Sequence, residues 1–320
     1  MCLDDSDDWS VRAKMKKKKT RARSDGLSSN LIRRPIARMG WLFLLPTFLS
    51  FCVGFVWPFI QGLFLSFTKF RITRDWEWTG VTNYIKALQD PSFVHAFWYT
   101  ALFALVSLIT INLLAFTVAY VLTQKIKGTN LFRTVFFMPN LIGGIVLGYI
   151  WSMIFDGVLT RYGTSIMLET EYGFWGLIIL MCWQQVGYMM IIYIAGLQAV
   201  PEDMMEAARI DGANRWQTLW KVTIPNMMPS ITICMFLTLT NSFKLFDQNL
   251  ALTEGRPFNQ LADGTVVKTT EMLALNIVNS FSANVTNRGV GQAKAVLFCI
   301  LVVAIGLIQL RATRSKEVQQ

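Results

Sequence analysis

Long charge-free apolar runs alternate with shorter polar ones along most of the chain. Six apolar segments can be drawn: Trp41–Phe67, Phe97–Leu122, Thr134–Phe155, Gly173–Leu197, about Met228–Leu252 and about Gly289–Leu310. Each is long enough for a helix to cross a bilayer, which takes roughly 20 apolar residues. The first has 27 residues without a formal charge, more than ~30 Å of hydrocarbon needs, so tilt or a kink is expected, with Pro46 and Pro58 as candidates. The third opens at Met138-Pro139 and carries Gly143, Gly144 and Gly148, which allow close helix approach. The fourth holds Trp183, Gln184, Gln185 and Tyr188, and the sixth has Lys294 near its start.

Composition agrees with this pattern. Mean hydropathy is +0.41, 53% of the 320 residues are hydrophobic and 16% are charged, against roughly a quarter charged in soluble domains. A polytopic membrane protein is expected. A secretory signal peptide is not, because the first apolar run is too long for its core region. Cys2, Cys52, Cys182, Cys234 and Cys299 show no paired spacing, and four of them lie inside apolar runs. They read as small apolar side chains rather than a disulfide or zinc framework, and no metal site is expected.

The net charge of +10 is uneven. Residues 1–40 hold 11 Lys/Arg, including Lys16–Lys19. This reads as a disordered tail that fixes topology rather than a nucleic-acid arm. With the N-terminus inside, the tail, Gln124–Arg133, Gln198–Met227 and Arg311–Gln320 carry 20 basic residues, against eight in Thr68–Ala96, Asp156–Tyr172 and Thr253–Arg288. Both termini and the stretch 198–227 are therefore predicted to be cytoplasmic. In the long outer loop, Glu271–Phe281 places Leu273, Ile277, Val278 and Phe281 at helical spacing, suiting a short amphipathic or re-entrant helix. Asn284-Val285-Thr286 matches a glycosylation sequon, a weak signal at three residues.

The largest polar interruption in the second half is Pro201–Pro225. Pro201 suits a first helical position, with Glu202 and Asp203 in the first turn where the helix dipole favours anions. Gly212 can end that helix in a left-handed conformation. Asn214 can cap a second helix, with Trp216, Leu219, Trp220 and Thr223 on one face. The first helix carries Glu202, Asp203, Glu206 and Asp211 against Arg209, an acidity that anionic lipid would repel. Ala207-Ala208 leaves a small-residue patch for a partner. The second helix, with two Trp, Arg215 and Lys221, suits the membrane interface.

The segment AGLQAVPEDMMEAARIDGANRWQTLWKVTIP resembles the EAA loop of binding-protein-dependent ABC importer permeases. Glu206-Ala207-Ala208 and Gly212 stand at the motif's places, and the following IDGA is similar to the carbohydrate importers in particular. FRTVFFMPNLIGGIVLGYIW, NSFKLFDQNLALTEGRP and NYIKALQDPSFVHAFWYT resemble other stretches of the same family. Tyr99 departs from it, standing where Asn commonly precedes Thr. The likeness covers roughly residues 35–315 and leaves out the basic tail.

The resemblance implies an all-α transmembrane permease of the MetI-like type I importer class, with a basic tail at 1–40, a six-helix domain at 41–310 and a C-terminal tail at 311–320. It implies two permeases, the second a paralogue, in a bacterial cell membrane. Two cytoplasmic ATPases would bind ATP and Mg²⁺, and an extracellular lipid-anchored or periplasmic solute-binding protein would deliver a sugar. This chain would bind no cofactor and catalyse no reaction. Glu206, Ala207, Ala208, Arg209, Asp211 and Gly212 would couple it to the ATPases. The sequence carries no G-x4-G-K-[ST] phosphate loop. Its only histidine, His95, reads as an interfacial polar residue.

Trp183, Gln184, Tyr188 and Asn241 offer amides and rings suited to a neutral sugar. Lys244 and Asp247, three apart, would share a helical face and partly neutralise each other. A pathway role and a purely structural one are both open for these six. Glycerol 3-phosphate import is an alternative within the class. A secondary transporter would show internal repeats and more intramembrane carboxylates.

Overall fold

The computed structural model describes residues 42–124, 126–261, 264–283 and 285–314. The expected tail at 1–40, residues 315–320 of the tail expected at 311–320, Cys2 and the sequon residue Asn284 lie outside these residues. The chain divides into two compact units, Met1–Gly62 and Leu63–Gln320.

The first unit contains most of helix α1 (Leu42–Leu65). Pro58 cannot donate to the helical ladder, and its ring crowds the carbonyl four residues back. The helix answers with a π turn at Cys52–Val56, where the Trp57 N–H reaches the Cys52 carbonyl. Of the two candidate kinks, Pro58 coincides with this change of register.

The second unit is helical, with two short hairpins. β1 (Thr68–Ile72) pairs antiparallel with β2 (Asp75–Trp78), and β3 (Phe258–Gln260) with β4 (Val266–Lys268). Both hairpins lie in the loops that the charge count places outside. α2 (Thr82–Gln89) leads into α3 (Pro91–Leu122). Asp90 caps α3 by accepting from the Ser92 N–H, and Pro91 follows it. The cap starts the helix six residues before the apolar segment expected at Phe97.

α6 (Thr170–Gln198) packs along α3. The α3 face toward the core is narrow and small: Ala104, Ser107, Ile111, Ala115 and Ala119 are buried at intervals of three and four. Across from it stand Leu177, Leu180, Met181, Met189 and Met190. Small residues let helix backbones approach where lipid supplies no hydrophobic drive. A polar brace crosses this core: the Tyr193 hydroxyl donates to Asn112 Oδ1 at 2.7 Å, and Asn112 Nδ2 donates to Thr238 Oγ1 at 3.3 Å.

Two spans expected as single helices are broken. The third runs as α4 (Thr129–Phe137), a 3-10 turn (Met138–Leu141) and α5 (Gly144–Leu159), bent by 102°. Pro139 and the pair Gly143-Gly144 explain the break, since one removes a donor and the others relax the backbone. The fifth is α9 (Met228–Phe243) followed, after Lys244–Phe246, by α10 (Asp247–Leu252). A helix at Arg215–Asn226, α8, precedes α9 at 72°. α7 (Glu202–Ile210), α11 (Leu273–Ala283) and α12 (Gly289–Arg314) complete the unit. α12 runs four residues beyond its expected end, and α11 confirms the short helix expected near Glu271–Phe281.

The tightest approach is between α6 and α4. A Cβ on Gly187 would stand 1.8 Å from the Phe136 carbonyl oxygen. Gly187→Ala should therefore cost at least about 1–3 kcal/mol through overpacking and lower the yield of monodisperse protein in mild detergent. Gly157→Ala, with nothing within 4 Å, should stay within about 0.5 kcal/mol of the parent.

Candidate functional site

The two breaks meet. Gln184 stands midway along α6 and is buried. Its Nε2 reaches the Ile142 carbonyl at 3.4 Å, in the link between α4 and α5. Its Oε1 accepts from Gln248 Nε2 of α10 at 2.7 Å. The neighbouring Gln185 accepts from Asn241 Nδ2 of α9 at 3.3 Å. Amides thus join the middle of the fourth span to the interruptions of the third and fifth. Trp183 lies beside them, exposed, with its ring edge-on to Trp151 at 5.6 Å.

Glycines make this junction possible. A Cβ on Gly144 would lie 2.9 Å from Asp247 Cβ and from Gln248 Cδ. One on Gly148 would lie 2.5 Å from Ala251 Cβ. The expected close approach at these glycines is real, and its partner is the short helix α10.

Of the six residues expected to line a path, Gln184 and Asn241 join the cluster and Trp183 borders it. Tyr188 packs against the apolar core instead. Lys244 and Asp247 do not share a helical face: Lys244 caps the end of α9 and Asp247 opens α10. Among the described residues the ion pairs are Glu254–Arg256 and Asp90–Lys294, so Lys244 and Asp247 form none. Both are exposed. The expected pairing assumed an unbroken helix, and the break cancels it. Gln248 was overlooked, although in a continuous helix it would stand four residues from Lys244 and share its face; in the broken one it reaches Gln184. An amide beside an intramembrane carboxylate was the available signal.

The central stretch follows its sequence closely. α7 has nine residues, with Pro201 as its N-cap rather than its first helical residue. Gly212 has φ +75, and its N–H bonds to the Arg209 carbonyl while the Ala213 N–H bonds to that of Ala208. This is the paired closure that a left-handed glycine permits. Asn214 and Gln217 cap α8 reciprocally. The alanine pair is split: Ala208 is buried against its own chain and Ala207 is exposed. Glu206, Arg209, Asp211 and Gly212 are exposed, as are Met204 and, at 86%, Ile210. The expected single face of α8 is also split. A π turn at Leu219–Thr223 rotates Thr223 inward, toward Met205 Sδ, while Trp216 and Trp220 remain exposed, edge-on at 5.7 Å. The extra residue in a π turn shifts the register.

His95 accepts its structural role: Nε2 lies 2.9 Å from the Thr269 carbonyl oxygen, joining α3 to the strand end after β4. Tyr99, the departure from the family pattern, sets its ring edge-on to Phe174 at 5.7 Å, with its hydroxyl buried and unpartnered.

Comparison with known proteins agrees with this architecture. Residues 127–313 match the family model of the binding-protein-dependent transport system inner membrane component. The probable starch degradation products transport system permease protein AmyD of Thermoanaerobacterium thermosulfurigenes is 40% identical over 288 residues, 87% of this chain and 95% of that one. The multiple sugar-binding transport system permease protein MsmF of Streptococcus mutans is 31% identical over 290 residues, 87% of this chain and 96% of that one. A chain in the crystal structure of a bacterial ABC transporter that imports the acidic polysaccharide alginate has the same fold, with a TM-score of 0.72 at 19% identity over 89% of this chain and 98% of that one. This chain therefore belongs to the family of inner-membrane permease components of binding-protein-dependent transport systems.

Proposed function

We propose that this chain is a sugar-conducting permease of an ATP-driven importer, and that its cargo is an oligosaccharide of the kind released from starch. The observation that carries this reading is the 40% identity to a starch-product permease over nearly its whole length. The amide cluster supports it. Gln184, Gln185, Asn241 and Gln248 supply both donors and acceptors, and the exposed Trp183 ring, with the half-buried Trp151 edge-on to it, suits the apolar face of a pyranose.

Lys244 and Asp247 lie exposed at the broken fifth span. Charges at membrane depth need water or a partner rather than lipid. That supports a path completed by a second permease, a paralogue of this chain. Membrane lipid would cover the remaining apolar surface. The distribution of basic residues supports a cytoplasmic position for both termini and α7. There α7 would dock on one of two ATPase subunits, which bind and hydrolyse ATP with Mg²⁺, while this chain itself catalyses no reaction. Its exposed Met204, Ala207 and Ile210 offer apolar contact, and Glu206, Arg209 and Asp211 offer charge. The rigid closure at Gly212 passes movement of α7 into α8 and so to α9. A solute-binding protein would deliver the sugar on the opposite side.

The reading is tested in vesicles containing the whole importer, with labelled maltohexaose as the probe. Glu206→Lys reverses a charge at the dock, where wrong-sign contact costs several kcal/mol, and Gly212→Pro forbids the observed φ. Both should abolish co-purification of the ATPase and ATP-dependent uptake. Normal association and uptake in either variant would refute the docking role.

A further inference from the structure

Lys294, in the first turns of α12, is only 1% exposed. A buried ammonium is costly unless it is paired and hydrogen-bonded. All three of its donors are used: Nζ donates to Asp90 Oδ2 at 2.5 Å, to Ser280 Oγ at 2.6 Å and to Asn276 Oδ1 at 3.1 Å. Beyond Asn276 the chain of bonds continues. Asn276 Nδ2 donates to Glu271 Oε2 at 2.7 Å, and Asn279 Nδ2 to Glu271 Oε1 at 2.5 Å. Glu271 is itself buried. An ammonium only donates and a carboxylate only accepts, so Asn276 between them has one orientation. A satellite apolar core of Phe93, Ala96 and Leu273 packs beside these elements and ties α3, α11 and α12 together.

Glu271 sits at the centre of a corner that is bolted to α10. Asn249, fully buried, donates to the Thr270 carbonyl at 2.8 Å and accepts from the Met272 N–H at 3.0 Å. The preceding residue is Gln248, which reaches Gln184 in the amide cluster. Bonded groups thus run from Asp90 through Lys294, Asn276, Glu271, the 270–272 corner and Asn249 to the cluster. A cleft of about 300 Å³ borders Asp90, Ser280 and Lys294, but the ammonium has no donor left for a ligand. The cleft is the open end of a clamp.

We propose that Lys294 and Glu271 are positioning residues for transport. They fix α11 and the 270–272 corner, and through Asn249 they fix the angle at which α10 presents Gln248. α10 has six residues with an interruption before it, so its own ladder does little to set that angle. Neither Lys294 nor Glu271 touches the sugar. The proposal rests on the reading of the amide cluster as the sugar path.

The test uses the whole importer in proteoliposomes with labelled maltohexaose. Glu271→Gln, Lys294→Met, Gln248→Ala and the double variant Glu271→Gln with Gln248→Ala are compared. The readouts are the amount of assembled complex and the half-saturating sugar concentration per assembled complex. Asp90→Asn keeps the α3 cap and removes the counter-charge, so it enters the same series. Glu271→Gln, Lys294→Met and Gln248→Ala should each raise the half-saturating concentration about tenfold, Asp90→Asn should raise it too, and the double variant should be no worse than Gln248→Ala alone.

Less complex with unchanged saturation in Glu271→Gln and Lys294→Met means a merely structural role and overturns the proposal, as do effects that multiply in the double variant. Normal saturation in Gln248→Ala overturns the pathway reading itself, and the proposal with it. If Glu271→Gln does not assemble, Asn279→Ala removes one donor to Glu271 and leaves the Lys294–Asp90 pair intact. It should then raise the half-saturating concentration about threefold, and no change would again overturn the proposal.

Discussion

Hydrocarbon offers no partner to a backbone N–H or C=O, so a helix break at membrane depth survives only where protein or a water-filled cavity covers it. The third and fifth spans are both broken, and each break lies against the other. Gln184 serves the Ile142 carbonyl on one side and Gln248 on the other. Gly144 and Gly148 let α5 come within contact of α10. The polar centre of this permease is thus where the cost of unpaired backbone brings two interruptions together around the middle of α6. Its amides are partly occupied by one another, so a sugar hydroxyl would exchange hydrogen bonds rather than fill empty ones.

Three polar features at membrane depth have different fates, decided by their surroundings. Lys294 is buried and saturated by three acceptors, and it belongs to the scaffold. Lys244 and Asp247 are exposed without an ion pair, and they need a lumen or a second chain. Asn112 and Tyr193 bond to each other between helices and hold the core. Residue type alone does not separate these roles. The count of satisfied donors does.

Much of this was legible in the residues. The six apolar segments all appear as helix or broken helix, because charge-free length is a strong constraint. The central stretch was readable almost residue by residue: Gly212 is left-handed and Asn214 caps, since both act through local chemistry. The break in the third span had local signals in Pro139 and Gly143-Gly144, whereas that in the fifth was not readable. Lys244, Leu245 and Phe246 contain no proline or glycine, and beyond them α10 packs against α5 and α6. The Lys244–Asp247 pair failed with that break, and Gln248 emerged from it. Lys294 was visible as a charge near a helix start, but its partners lie 14, 18 and 204 residues away, beyond any local pattern. Ala208 turned inward because α7 folds back against α8, a contact that sequence spacing does not report.

The central claim is that the junction of the two breaks lies on a path opened alternately to the two sides. The most direct measurement is the reaction of Gln248→Cys with a membrane-impermeant maleimide, in a chain whose five native cysteines are replaced, within the whole importer. Labelling from outside should occur when nucleotide is trapped on the ATPases and disappear in the nucleotide-free state, where labelling from the cytoplasmic side replaces it. Labelling that is absent from both sides in both states, or that does not change with nucleotide, would contradict the account.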